Sequence, residues 1–358
     1  MRFGRASILI GAIVAASLAV AGIAGATATA RGSAAVAAPT TWTAADVAKV
    51  AKANGVPSFI PVYAVPKKLP KQYKLAFINP DLSNPFFATW SKAMKAAAKL
   101  YGVKFVEGNA ATKYDTETDI FDTLSAQNID AVGAHPGNAV IATKAASAGM
   151  PFTTIDSVVP GASHIGVPDV QAGTIAAQLL ATEIKNRQKG DWKGKSVFFV
   201  GLGVPGCTPC EVRPHTALKV LSRSVKIDGN SFISQYATPD VGQKFMTDVI
   251  TAHPNSVFAI VPLNDESLIG VIPALKAAGK LNSAVTVSLG GDPAGRKLLR
   301  ENPKTVIAAV DFNPFAEGWN WVAASLARLQ HKSFKPYRLS TTLTPQNVNK
   351  LYPQDSNN

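Results

Sequence analysis

A parallel α/β fold is predicted for this chain by three observations. Short apolar runs alternate with longer stretches of helical period from residue 73 onward, the alternation continues almost to the end of the chain, and polar or aromatic residues gather just after the apolar runs. Strands that alternate with helices of this length form βαβ units and hence parallel sheets. The 358 residues leave room for two domains, or for one domain and a processed leader.

The strand candidates are residues 74–78, 104–106, 131–134, 152–155, 196–200, 231–235, 257–261, 285–289 and 306–310. Helical segments lie between them at 85–100, 116–127, 139–148, 170–187, 213–225, 241–253, 266–278, 295–301 and 314–329. Nine strands make one wide sheet or two. The long helix from residue 170, with the polar stretch 161–169 before it, is the natural point to leave one sheet for another, and the helix from Pro314 can return to the first. Ahead of the first strand, Thr43 to Asp46 reads as a capping box opening a short helix to Ala53. Pro57, Pro61, Pro66 and Pro70 then keep the chain extended as a surface strap.

The first 37 residues read as a leader and not as part of the fold. Arg2 and Arg5 precede a small-apolar run over 6–26, after which Ala28-Thr29-Ala30 and Ala35-Val36-Ala37 each offer an A-x-A cleavage pattern. This predicts a secretory signal peptide and an exported, periplasmic or cell-surface protein. A retained anchor is the alternative, since about 20 apolar residues can span a bilayer. The run holds no cysteine, which excludes lipid attachment at a leader cysteine. Removal of 1–37 takes away Arg2, Arg5 and Arg31 and no acidic residue, so the chain, formally +13, stays basic. Its Lys and Arg are scattered with no run of five, which argues against a nucleic-acid arm.

Export permits a disulfide between the two cysteines, Cys207 and Cys210, as a brace for their loop. Free thiols and a redox-active C-x-x-C are the rival readings, and against the latter the pair sits mid-chain among βα units with no Trp before it. No second C-x-x-C and no H-x-x-x-H completes a zinc site. Catalysis lacks its motifs too: there is no G-x-S-x-G elbow, Walker loop or H-E-x-x-H. Gly201 to Gly206 spells G-x-G-x-x-G, but Pro205 breaks the turn into the helix that a dinucleotide site needs. A non-enzymatic protein without cofactor is the expectation.

Open parallel sheets bind ligands beyond the carboxyl ends of their strands. Here those positions carry 79–87, 135–138, Asp156-Ser157, 201–213, 236–240, Asn264-Asp265, 290–293 and 311–314. A sugar or polyol has C–H faces that stack on rings and hydroxyls that need fixed donors and acceptors. Phe86 and Phe87 beside Asn, Asp and Arg supply both needs, and His135 at a strand end joins them.

Leu82-Ser83-Asn84-Pro85-Phe86-Phe87, Ile155-Asp156, Arg213, Thr251-Ala252-His253-Pro254 and Asn264-Asp265, in that order, resemble the ribose-binding-protein type of periplasmic solute receptor over residues 74–343. The resemblance implies a type I periplasmic binding protein: two Rossmann-like lobes with parallel sheets, joined by a three-crossing hinge, that trap a sugar for an ABC importer. It implies a first lobe of 72–166 plus 312–338, after the extension 38–71, and a second of 167–311 plus 339–358. By position, sugar contacts fall on Asn84, Phe86, Phe87, Asp156, Arg213 and Asn264.

Several positions depart from the family pattern. His135 stands for an Asn, Ser157 for an Arg, Gly290 for an Asp with Asp292 two residues on, and Phe312 or Asp311 for a Gln, while Tyr236 and Ala237 compete for the second-lobe aromatic. The ligand implied is therefore a pentose other than ribose, a hexose or a linear polyol, because a buried hydroxyl left unpaired costs about 1–3 kcal/mol. A monomer serving a membrane permease is implied, with a non-sugar ligand such as a furanone or nucleoside as the alternative and a secreted enzyme as a further one. A DNA-binding regulator of the same fold would need an N-terminal helix-turn-helix, for which 1–71 has no pattern.

Overall fold

A computed structural model describes residues 40–203, 208–235, 238–339 and 341–357. The chain runs α1 (Ala44–Ala53), β1 (Lys74–Asn79), α2 (Pro85–Tyr101), β2 (Lys104–Asn109), α3 (Glu117–Ser125), β3 (Ala131–Ala134), α4 (Ala139–Ser147), β4 (Phe152–Ile155) and β5 (Ser163–Ile165). It continues through α5 (Asp169–Arg187), β6 (Val197–Gly201), α6 (Thr208–Leu221), β7 (Gly229–Phe232), α7 (Pro239–Ala252), β8 (Val257–Val261) and α8 (Glu266–Ala277). Last come β9 (Ala284–Gly290), α9 (Pro293–Glu301), β10 (Val306–Asp311), α10 (Pro314–Leu329), β11 (Thr341–Leu343) and α11 (Val348–Leu351).

Helix starts follow the sequence closely because their caps are local. Asn84, Asn138, Asp292 and Asn313 each accept a backbone N–H of the first turn, and α2, α7, α9 and α10 carry Pro at their opening positions. Thr43 and Asp46 form the full capping box of α1. One start differs from expectation: α6 begins at Thr208 and not at Arg213, so Pro214 lies inside the helix. Proline reads as a helix opener from sequence; here the helix tolerates the missing N–H at its seventh residue, nearly two turns in.

The strands form two sheets, β2-β1-β3-β4-β5 and β11-β10-β9-β8-β6-β7, all pairs parallel except β10 with β11. That makes eleven strands among the described residues where periodicity predicted nine. The two additions, β5 and β11, are three residues each, too short to show a period of two. β7 also lies earlier than the expected 231–235, at the register where Gly229 faces Phe198. Central strands are buried along their length, as in Val197–Gly201 and Ala284–Gly290, which is why they read as continuous apolar runs.

Helices cover both faces of each sheet. α2 and α10 pack on one face of the first sheet, where Trp321 donates Nε1–H to Thr153 O (2.9 Å) and meets Phe77 edge-on with centroids 5.1 Å apart. Phe121, Leu124, Ile141 and Ala145 of α3 and α4 cover the other face. In the second sheet α5 and α6 take one side and α7, α8 and α9 the other. The chain therefore passes three times between the sheets: from β5 to α5, from β10 to α10, and from α10 back to β11.

The segment before β1 is more than a surface strap. Val47, Ala51, Phe59, Val62 and Val65 are all buried in the first-lobe core, and Phe59 meets Trp319 edge-on at 5.9 Å. Val62 N–H donates to Asn320 Oδ1 (2.9 Å), and Val62 O accepts from Lys335 N (2.9 Å) on the return crossing. The prolines hold the chain extended, but Phe315 and Trp319 of α10 give its apolar residues a surface to cover.

Close approach of α2 and α10 fixes one glycine. A Cβ on Gly318 would lie 2.5 Å from Trp90 O, well inside contact distance of a backbone atom. Gly318→Ala therefore forces the two helices apart and lowers the unfolding free energy by about 1–3 kcal/mol. Urea unfolding checks this, and an unchanged midpoint would show that the helices can separate freely.

Candidate ligand-binding cleft

Both sheets have a switch point where neighbouring strands lead off in opposite directions: between β1 and β3 in the first sheet, and between β6 and β8 in the second. Ligand crevices form at such points, beyond the strand carboxyl ends. The chain beyond those ends carries Asn84 and the start of α2 with His135 in one lobe, and Arg213 of α6 with Leu263-Asn264 in the other.

In the first lobe, Phe86, Phe87 and His135 make an aromatic wall around the buried indole of Trp90. Trp90 lies 5.3 Å from Phe86, 5.0 Å from Phe87 and 5.3 Å from His135, centroid to centroid, and Phe87 and His135 are 5.6 Å apart. His135 Nδ1 is 2.7 Å from Ile155 O, and a carbonyl only accepts, so Nδ1 carries the proton and Nε2 is left as an acceptor. Ser157 Oγ lies 3.4 Å from the same Nδ1. Burial pushes the imidazole below its ordinary pKa against the raising influence of Asp156, which keeps it neutral.

Asp156 follows β4 in the left-handed region, φ 53°, where Asp is tolerated because its short side chain bonds locally. Its Oδ1 accepts from Val167 N (2.7 Å) across the first passage between the sheets. Gly166 leaves room for that carboxylate, since a Cβ there would fall 2.6 Å from Oδ1.

The second lobe contributes Arg213. Its Nε donates to Asp169 Oδ1 (2.6 Å), its Nη1 to Leu263 O (3.0 Å), and the guanidinium carbon lies 4.7 Å from the ring centroid of Phe312. Phe312 thus floors the arginine. Burial raises the Asp169 carboxyl, and Arg213 works against that rise. Asn264 Oδ1 accepts from Ser267 N (3.1 Å) and Oγ (2.7 Å), so only its Nδ2 can serve a ligand.

Groups from both lobes share one electrostatic neighbourhood. His135 feels Asp156 and Arg213, Asp169 feels Arg213 and Asp156, and Glu317 feels Asp156 and Arg213. Phe86 packs against the core of each lobe. At the rim, Asn84 Nδ2 donates to Glu266 Oε2 (3.0 Å) across the lobes, while its Oδ1 caps α2 through Phe86 N (2.9 Å). Asn84 is therefore engaged at both ends of its amide.

Asp292 falls in a different group. It caps α9 through Gly295 N (2.7 Å) and lies beside the buried Asp265, which accepts from Asp292 N (2.9 Å). A Cβ on Gly290 would sit 2.6 Å from Asp265 Oδ2, so Asp265 occupies the space a side chain at 290 would need. Cys207, Tyr236 and Ala237 lie outside the described residues, as does the Cys210 side chain, and with them the disulfide and the second-lobe aromatic. Among the described residues no group of three or more His, Cys, Asp or Glu could hold a metal ion.

Trp90 and Glu317 were not singled out by sequence reasoning. Glu317 is fully buried in the first turn of α10, accepts from Trp90 Nε1 (2.9 Å) through Oε2, and has an Oε1 without a partner. Burial, then the charge of Asp156, push its carboxyl well above the ordinary range. The available signal was an acid inside an otherwise apolar helical run.

Two doubly wound lobes that bring ligand-type groups to one shared cleft define a two-lobed solute-binding fold. Residues 75–333 match the family described as periplasmic binding protein domain, and the chain belongs to that family. The ribose import binding protein of Bacillus subtilis is 25% identical over 218 residues, covering 59% of this chain and 68% of that protein. The solute-binding protein of an Actinobacillus succinogenes ABC transporter, solved with bound D-allose, superposes with a TM-score of 0.68 at 19% identity, over 78% of this chain and all (100%) of that one. A Bacillus halodurans solute-binding protein with bound myo-inositol gives 0.66 at 18% identity, over 79% and 98%. The first is thus a ribose import binding protein, and the other two are ABC transporter solute-binding proteins with a bound sugar or polyol. The family is one of solute-binding receptors, and no described helix is long and apolar enough to cross a membrane.

The Asp292 group sets a pH dependence. Burial and the charge of Asp265 raise Asp292 to about 7, and burial raises Asp311 to about 6. Folded pKa values above the unfolded ones mean that the folded state holds the protons more tightly, so stability falls as pH rises through about 6–7. His135, shifted down, works in the opposite direction. Asp292→Asn keeps an oxygen for Gly295 N and removes the charge, so its stability gain over wild type should grow from about pH 5 to pH 8. Urea unfolding across that range reads the difference, and a pH-independent gain would exclude Asp292 as the source.

Proposed function

We propose that this protein is the extracytoplasmic solute-binding receptor of an ABC importer and captures a small neutral sugar or polyol between its lobes. One observation carries the reading: a neutral imidazole acceptor, a paired guanidinium, an amide donor and an aromatic wall converge from two lobes on one cleft. Each matches a need of a polyhydroxylated ligand. Rings take the C–H face, His135 Nε2 and Asp156 accept from hydroxyls, and Arg213 Nη2 and Asn264 Nδ2 donate. Asp169 already balances the charge of Arg213, which favours a neutral ligand over an anionic sugar at that guanidinium.

The reading is supported by relatives with bound D-allose and myo-inositol. The ligand is held and released unchanged, with a membrane permease as the receiving partner, and the receptor works as a monomer. Residues 1–37 act as the export signal. Mass spectrometry of the protein from its native host should then find an N-terminus between Arg31 and Ala38, and an intact Met1 would refute cleavage.

The test of the binding function is a thermal-shift and calorimetric screen of D-ribose, D-allose, myo-inositol and ribitol. A specific ligand at about 100 times its Kd adds about 2.7 kcal/mol of stability. Ligand bridging both lobes favours the closed form, so the radius of gyration falls on saturation. Arg213→Ala leaves hydroxyls and Asp169 unpaired, costing about 2–4 kcal/mol of binding, roughly 30-fold to 1000-fold in affinity. Unchanged affinity in that variant would remove Arg213 from the site, and no shift with any compound would count against a sugar or polyol.

A further inference from the structure

Glu317 presents a problem of physical chemistry. A carboxyl group that is wholly buried with one oxygen unpartnered weakens a fold, since the desolvation of that oxygen is not repaid by a hydrogen bond. Its other oxygen does one specific thing: it accepts the indole N–H of Trp90, 2.9 Å away. The indole has no exposed surface, and its ring is in contact with Phe86, Phe87 and His135 together. A ring gripped only by apolar contacts can turn about χ2; one tied through Nε1 cannot without losing the bond.

The placement along α10 agrees. Trp321 Nε1 meets Thr153 O in the middle of β4, and Glu317 lies four residues earlier, about 6 Å nearer the start of the helix. Thr153 to Ile155 spans a similar distance along the strand, about 6.6 Å. Glu317 is thus at the level of the strand ends, where Ile155 O holds His135 Nδ1 and Asp156 begins the first crossing. The charges of Asp156 and Arg213 both reach it.

We infer that Glu317 is a positioning residue for the ligand cleft: through the Trp90 indole it sets the rings of Phe86, Phe87 and His135 against which ligand lies. The inference rests on the receptor reading for its consequence in binding, and on the Glu317–Trp90 contact for its cause. Glu317 acts through Trp90 and not by touching ligand.

The experiment compares Glu317→Gln, Glu317→Leu, Trp90→Phe and the double variant Glu317→Leu with Trp90→Phe. Ligand-free protein is read by NMR at the indole N–H of Trp90, assigned by its loss in Trp90→Phe, and at the imidazole of His135. Affinity for D-allose is read by calorimetry, and stability by thermal unfolding. Glu317→Leu should shift both resonances and weaken D-allose roughly tenfold or more, while Glu317→Gln, whose amide oxygen still accepts from the indole, should recover most of the loss. The double variant separates positioning from stability. Replacing both polar partners by apolar groups restores thermal stability, but it does not restore the tie, so affinity stays as low as in Glu317→Leu.

A double variant that is stable and binds D-allose as tightly as wild type would overturn the inference. So would a Glu317→Leu protein with unmoved His135 signals. If wild type binds no D-allose, the receptor reading loses that ligand, and the ligand-free resonances still decide whether Glu317 sets the wall.

Discussion

The guanidinium of Arg213 organises the cleft. A buried cation is tolerated only if it is paired and its hydrogens are used, because removing it from water costs several kcal/mol. Four pieces of chain meet that demand: Asp169 at the start of α5, Leu263 O after β8, Phe312 on the second passage between the sheets, and α6 itself. Each is set in place by the requirement. The helix that opens the second lobe, the strand end at its switch point and the link back to the first lobe thus share one charged centre, whose donors are held in determined positions.

The first lobe answers with rings and a neutral histidine where the second offers charge. This division follows from solvation. Burial drives His135 toward its uncharged form, and the Ile155 carbonyl selects the tautomer, so the imidazole presents an acceptor without a charge to compensate. The carboxyl of Asp156 is spent in part on Val167 N, so it also fastens the first passage. Under the proposed reading, binding and hinge geometry therefore share a residue.

Most of the architecture was legible because it is written locally. Buried parallel strands show as apolar runs, and Asn84, Asn138, Asp292 and Asn313 announce helix starts through their own side chains. What could not be read depended on distant chain. The strands β5 and β11 exist only as additions to sheet edges, and the burial of Phe59 and Val62 depends on α10, more than 250 residues away. The site shows the same split. His135 and Asp156 stand at strand ends where the fold class directs attention, and Arg213 lies in the helix that follows β6, whereas Glu317 has meaning only beside Trp90, 227 positions apart. Asn84, Asn264 and Asp292 also show that an Asx residue at such a place can serve as a cap, and the cap was the part a single sequence could state with a mechanism.

In the proposed cycle of opening and closing, the bond from Asn84 to Glu266 ties one lobe directly to the other. It therefore enters the balance between open and closed populations rather than the affinity of the closed form. A net hydrogen bond of about 0.5–1.5 kcal/mol multiplies the closed fraction roughly 2- to 13-fold while the open form dominates, and lowers the apparent Kd by the same factor. The same bond must break before solute leaves, so capture strengthened at the rim is matched by slower discharge. A contact between the lobes themselves can in this way set how greedily cargo is scavenged and how readily it is handed on.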